Sequence, residues 1–203
     1  MYKILVYGNN SSVRMVVMKK ILKVMLVMVF AITLAGCSCM QKSAKDRVEE
    51  FLDQYRNLSA NVLGDLDEVV ETETDLSEEQ KESYRDVLKK QYSDLKYEIT
   101  NEEYDGDTAV VEAKITVYDL YKAQRDATEY LNEHRDEFND EEGNYDSSKF
   151  MDYRLEQMQK TTDTVEYTIT FNLTKDDDDN WQITELSQED LEKIHGIYNY
   201  DSE

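Results

Sequence analysis

The side chains able to do chemistry in this chain are few: two cysteines, Cys37 and Cys39, two histidines, His134 and His195, and an abundance of carboxylates. Zinc needs clustered nitrogen and sulfur ligands. Each histidine falls in a helical pattern with no cysteine nearby and no second histidine four residues on, so no zinc site is expected. Calcium wants loop carboxylates, and these gather in Asp176 to Asp179 and in the stretch from Asp136 to Asp146. Taking Gly143 as the turn glycine of an EF-hand loop puts Phe138 and Lys149 at the two end ligand positions, where carboxylates are required, so the spacing fails. Asp176 to Asp179 reads instead as a solvated hairpin tip that discourages edge pairing. No Gly-x-Ser-x-Gly elbow and no phosphate-cradling glycine loop is present, and the chain has only six glycines. General acid-base catalysis needs a titratable group tuned by a partly buried pocket. The positions that alternation turns inward, from Tyr97 through Val117 and from Val165 through Ile183, hold no Asp, Glu, Lys, Arg or His. No catalytic residue, metal or cofactor is therefore assigned.

Cys37 is the exception, because of what precedes it. Lys19, Lys20 and Lys23 follow Met18, an apolar run begins at Val24, and Leu34, Ala35, Gly36 and Cys37 close it. This pattern resembles the export signal and lipobox of a bacterial lipoprotein. The resemblance implies cleavage before Cys37, a diacylglyceryl group on its thiol, and attachment to the cell membrane on the extracytoplasmic face. A retained membrane helix fits less well. Val24 to Gly36 is thirteen residues, which at about 1.5 Å each spans roughly 20 Å of a ~30 Å hydrocarbon core. Residues 1–17 precede a better start at Met18 and read as a spurious upstream extension, residues 18–36 as the signal peptide, 37–45 as a tether and 46–203 as one domain. Cys39 is a spare thiol or a second acylation site, and a disulfide framework is excluded.

Removing residues 1–36 leaves 167 of the 203, enough for one core, and takes the net charge from −22 to −27 by losing Lys3, Arg14, Lys19, Lys20 and Lys23. Such a surface is repelled by phosphate backbones and anionic headgroups. Nucleic-acid binding is thus not expected, and contact with the membrane is expected through the lipid alone.

These residues need elements to place them. Val48, Phe51, Leu52, Tyr55, Leu58, Val62, Leu66, Val69 and Val70 recur at three- and four-residue steps, predicting an amphipathic helix with a break near Gly64. Ser77 with Gln80 forms a capping box for a second helix carrying Tyr84, Val87, Leu88, Tyr92 and Leu95. Alternation then switches to period two at Leu95, Tyr97 and Ile99 and again from Ala109 to Val117, with Asp105 and Gly106 expected to supply positive φ in a tight turn. A second hairpin pairs Val165 to Leu173 with Trp181 and Ile183 across Lys175 to Asn180. Between the hairpins, Tyr121, Ala127, Tyr130, Leu131, His134 and Phe138, then Phe150, Met151, Leu155 and Met158, predict a helical excursion around a loop at Gly143. Ser187 opens a closing helix with Leu191 and Ile194.

This order predicts an α+β fold: a four-stranded, curved antiparallel sheet packed against N-terminal helices, with a helical insertion between two hairpins. The element order from Asp46 to about Tyr198 resembles the NTF2-like or cystatin-like superfamily. That resemblance implies a cone between sheet and helix able to hold a small ligand, here lined by Tyr97, Ala113, Tyr167 and Trp181. Three functions follow: a non-catalytic binding or accessory module for a small molecule, a peptide or a basic protein; an enzyme of the ketosteroid-isomerase kind; or a surface spacer if Phe51, Tyr55, Leu58 and Trp181 fill the cone.

Overall fold

A computed structural model describes residues 42–184 and 186–202. The lipobox with Cys37, and Cys39 with it, lie outside the described residues. The elements run α1 (Ala44–Arg56), α2 (Ala60–Thr72), α3 (Glu78–Ser93), β1 (Lys96–Asp105), β2 (Thr108–Tyr118), α4 (Leu120–Glu133), a 3-10 turn (Arg135–Phe138), α5 (Ser147–Lys160), β3 (Thr164–Lys175), β4 (Trp181–Ile183), α6 (Gln188–Ile194) and a final 3-10 turn (Tyr200–Ser202). The strands form one antiparallel sheet in the order β1-β2-β3-β4, and the fold is α+β with helices ahead of the strands.

The chain enters helix earlier than its composition suggests. Ser43 Oγ accepts from Asp46 N–H at 3.0 Å, and Asp46 Oδ2 accepts from Ser43 N–H at 2.9 Å, so a capping box starts α1 at Ala44. Ala44 and Lys45, expected in the tether, are therefore helical. The apolar stripe does not run through one helix broken at Gly64. The break falls at Asn57 to Ser59, where Leu58 takes φ 48° and the Ser59 hydroxyl caps α2, while Gly64 sits inside that helix. The capping box at Ser77 forms as expected, with Gln80 N–H donating to Ser77 Oγ at 3.2 Å.

In the first hairpin Asp105 pairs with Thr108, so the turn residues are Gly106 and Asp107. Only Gly106 has positive φ there; Asp105 stays in the strand. β1 also changes phase, because a register shift between Ile99 and Asn101 makes Thr100 an extra residue. Beyond it Glu102 and Tyr104, rather than Asn101 and Glu103, lie opposite Val111 and Ala109 on the covered face. The bulge has a use. Glu102 Oε1 accepts from Lys45 N–H at 2.9 Å and Tyr104 Oη from Ala44 N–H at 3.3 Å, satisfying donors that the first turn of α1 cannot bond internally.

Ala109, Val111, Ala113, Ile115 and Val117 of β2 are all buried, as are Ile169, Phe171 and Leu173 of β3. α1 and α3 cover this face, while the opposite face keeps Glu112, Lys114, Glu166 and a row of threonines. The insertion between β2 and β3 folds back as a helical hairpin whose second member, α5, packs on α3. Lys90 of α3 donates to Gln159 O at 2.7 Å and Thr161 O at 3.0 Å, occupying the exposed carbonyls at the end of α5.

Candidate functional site

The four residues read as a ligand lining do not gather in one place. Strand register sets Tyr97, Ile115 and Tyr167 in a single row across β1, β2 and β3. Ala113 falls in the neighbouring row beside Ile99 and Ile169 and is fully buried. Trp181 pairs with Lys175, eight residues along β3 from Tyr167, which is about 26 Å at ~3.3 Å per residue. It packs against Tyr104, ring centroids 5.5 Å apart, with the Lys175 ammonium 5.4 Å from its ring.

Tyr97 is held by α1. Its hydroxyl donates to Asp53 Oδ1 at 2.6 Å, and Arg56, which pairs with the same carboxylate at 2.8 Å, lies 5.3 Å from the Tyr97 ring. Burial, reinforced by Asp53, pushes the Tyr97 hydroxyl up to about 12. The phenol thus serves as a clamp between the sheet and the end of the first helix. Tyr167 meets Tyr198 edge to face at 5.7 Å. Asp53 was invisible to an argument from sheet positions because it comes from the helix above them.

Between sheet and helices runs a chain of rings. Phe171 meets Phe51 at 5.7 Å, Phe51 meets Tyr55 at 5.4 Å, Tyr55 meets Tyr92 at 5.1 Å, and Tyr92 meets His195 at 5.5 Å. Phe51 and Tyr55 thus lie where a filled cone would place them, whereas Trp181 is at the far end of the sheet.

The inward positions expected to hold no titratable group do hold Glu102, which the bulge turns to the covered face, and His195 adds another from outside the sheet. The covered interior does hold a titratable group, delivered by the residue that ends α6. His195 is 2% exposed, and its Nδ1 lies 2.8 Å from Tyr92 Oη. Burial drives its pKa down to about 4, so the imidazole is neutral at neutral pH. Burial likewise raises the Tyr92 hydroxyl well above its ordinary value. This pair is enclosed by Tyr55 and the core and behaves as a polar bond inside it. Tyr92→Phe is expected to leave a buried ring nitrogen without its partner and to cost about 1–3 kcal/mol, read from urea unfolding at neutral pH.

His134 is different. It is exposed at the end of α4, stacked on Tyr130 with ring centroids 4.0 Å apart. Among the described residues no group of three or more His, Cys, Asp or Glu side chains is arranged to hold a metal ion.

The two acidic loops turn out to be one loop built twice. Asp140 N–H donates to Asn144 O at 2.7 Å and Gly143 N–H to Asp140 O at 3.1 Å; Asp176 N–H donates to Asn180 O at 2.9 Å and Asp179 N–H to Asp176 O at 3.0 Å. In each, the first aspartate caps the backbone within its own loop. Asp140 Oδ1 accepts from Glu142 and Asn144 N–H, and Asp176 Oδ1 from Asp178 and Asn180 N–H. Hydrogen bonds hold both carboxyls below the usual range, led by Asn144 N–H for Asp140 and by the Gln182 side chain for Asp176. The loops differ at the residue with positive φ, which is Gly143 at 82° in one and Asp179 at 63° in the other. Asp179→Gly should therefore stabilise the protein by about 0.5–1 kcal/mol, measured as a rise in the thermal midpoint.

The fold and these sites define an acidic α+β domain with a closed aromatic core. No protein-family profile matches the chain, and no curated protein does. Among solved structures it is similar to a "putative lipoprotein (ycdA)" from Bacillus subtilis subsp. subtilis str. 168, at 15% identity and a TM-score of 0.46 over 77% of this chain. The match spans 56% of that protein's length.

Proposed function

We propose that this chain is a lipoprotein held on the extracytoplasmic face of a bacterial cell membrane by acyl chains on Cys37, and that its domain binds rather than catalyses. The observation that carries the proposal is the run Leu34-Ala35-Gly36-Cys37 at the close of a short apolar segment, followed six residues later by the cap of α1 at Ser43. Six residues reach at most about 21 Å, so the domain would sit close above the bilayer. No helix among the described residues is long and apolar enough to cross a membrane.

The binding half of the proposal rests on the interior. From Ala109 to Val117 of β2 and from Val165 to Leu173 of β3 the helix-facing positions are aliphatic or aromatic, and the buried imidazole is enclosed by Tyr55 and Tyr92. The imidazole is 2% exposed, which disfavours the ketosteroid-isomerase kind of enzyme. The order of helices and strands is the ground for reading an NTF2-like domain, and the acidic surface favours a basic protein, a peptide or a small molecule over a nucleic acid.

Cys37→Ser should release the protein from the membrane fraction, while the native protein should carry a mass increment of acyl chains at a new amino terminus. An unmodified sulfur behind an intact extension, or a substituted protein that stays membrane-bound, would refute the anchor. Crosslinking in cells from the acidic surface, followed by mass spectrometry, then identifies what the domain holds.

A further inference from the structure

We propose that the outer edge of β3, from Glu166 to Thr170, is a strand-addition site for an extended basic segment of a partner protein. Alternation along the strand fixes which groups this edge offers. Asp163 O accepts from Asp119 N–H at 2.9 Å and Lys175 N–H donates to Asp107 O at 2.9 Å, both on the β2 side, so the odd-numbered residues of β3 turn their backbone groups to β2. The even-numbered ones turn theirs outward, as Asn172 O shows by accepting from Thr184 N–H at 2.8 Å. β4 takes up only the last part of this edge, pairing with Leu173, Thr174 and Lys175. α6 then returns over the covered face, where it packs on β2. Glu166, Thr168 and Thr170 thus present N–H and C=O groups along the border of the sheet, and all three residues are exposed.

The two borders of the sheet are built differently. β1 is bent by the bulge at Thr100 and carries Glu98, Glu102, Glu103 and Asp105, devices that keep a foreign strand away. β3 holds its register with β2 through eleven successive pairs and contains no bulge, glycine or proline. A straight border of this kind is a template for one more strand, whose backbone supplies affinity and whose alternate side chains supply specificity. On the helix-facing side the added strand continues the pattern of Tyr167 and Ile169, which calls for apolar residues; on the other side it lies beside Glu166 and two threonines. Charge decides among occupants. Lys114, Lys175 and Lys193, which flank this border, are each engaged by carboxylates of the same chain: Lys114 by Glu166 at 2.8 Å, Lys175 by Asp107 and Asp179 at 3.8 Å, and Lys193 by Glu189. Complementary positive charge therefore has to come from the partner. A second copy would instead bring another chain of net charge −22 to the same border.

This inference rests on the reading that the domain binds, and it is independent of the anchor. It is tested on the full chain in detergent micelles with the peptide Ac-KVTVKVT-NH2. One control is the same peptide N-methylated at every residue, which keeps the side chains and loses the backbone donors; the other has Glu in place of Lys. The unmodified peptide should bind saturably and slow hydrogen exchange at the amides of Glu166, Thr168 and Thr170 by about tenfold or more, and neither control should do so. Thr168→Pro removes an outward N–H and no bond to β2, so it should keep the thermal midpoint near that of the wild type and abolish peptide binding. If the variant fails to fold, the N-methylated peptide carries the same test. The proposal is overturned if the peptide leaves those amides unprotected, if either control protects them equally, or if they are already protected in a dimer of this chain before peptide is added. A partner captured in cells through a surface other than residues 164–172 overturns the strand site and leaves the binding reading standing, whereas the absence of any partner overturns that reading and the strand site with it.

Discussion

Gly196→Ala is expected to destabilise the protein by more than about 3 kcal/mol. Gly196 follows α6 with φ 71°, a left-handed conformation that alone costs an L residue roughly 1 kcal/mol. The added methyl would come within 2.2 Å of Tyr118 O and 2.4 Å of Gln91 Nε2. Neither can retreat freely. Tyr118 O belongs to the end of β2, and the Gln91 side chain, 1% exposed, is tied at both ends: its Oε1 accepts from Tyr118 N–H at 3.0 Å and its Nε2 donates to Ile194 O at 3.4 Å. Gly196 O also accepts from Tyr121 N–H at 2.8 Å, which fixes the start of α4. The substitution therefore forces apart α3, β2, α4 and α6 together. Urea unfolding at neutral pH measures the loss; a change under about 1 kcal/mol would mean that this turn is not seated in the core.

The second large effect is in pH. The His195 pKa is about 4 in the folded protein because of burial, against an unfolded value near 6.5. The unfolded chain therefore binds a proton that the native one refuses. Stability is complete above pH ~6.5, falls as pH drops towards 4, and levels off below that, a loss of roughly 3 kcal/mol. Asp65, Glu73 and Glu192 act in the opposite sense, since burial is the leading cause raising each of their pKa values. Their protonation favours the native state as pH falls. The imidazole contribution is isolated by comparing wild type with His195→Gln at pH 7, 5.5 and 4. The stability difference between the two should shift in favour of the variant by about 3 kcal/mol across that range. A difference independent of pH would show that the imidazole is solvated.

Much of the scaffold was legible because period and capping are local. The alternation of β2 and β3, the Ser77 and Ser187 caps and the insertion between hairpins all follow from neighbours within a few residues. Two local features escaped for the same reason that they work. Leu58 enters the left-handed region without being glycine, so the three- and four-residue steps continue across a real break. Thr100 carries no mark of a bulge, although it decides that Glu102 and Tyr104 face α1. The sites were less legible, since each is assembled from distant segments. His195 reaches the core from a loop after the last helix, and alternation along the strands says nothing about it. Glu73 lies in a charged stretch where nothing separates a buried carboxyl from a solvated one. Trp181 and Tyr97 share a face pattern, but only the register shows how far along the sheet they are from one another.

The seating of the turn after α6 also bears on how the polypeptide is made. Ile194, His195 and Ile197 supply a wall of the interior that α3 and β2 cannot close by themselves. A growing chain still lacking residues 188–198 has its sheet but an open side, so the cooperative step waits for nearly all of the sequence to leave the ribosome.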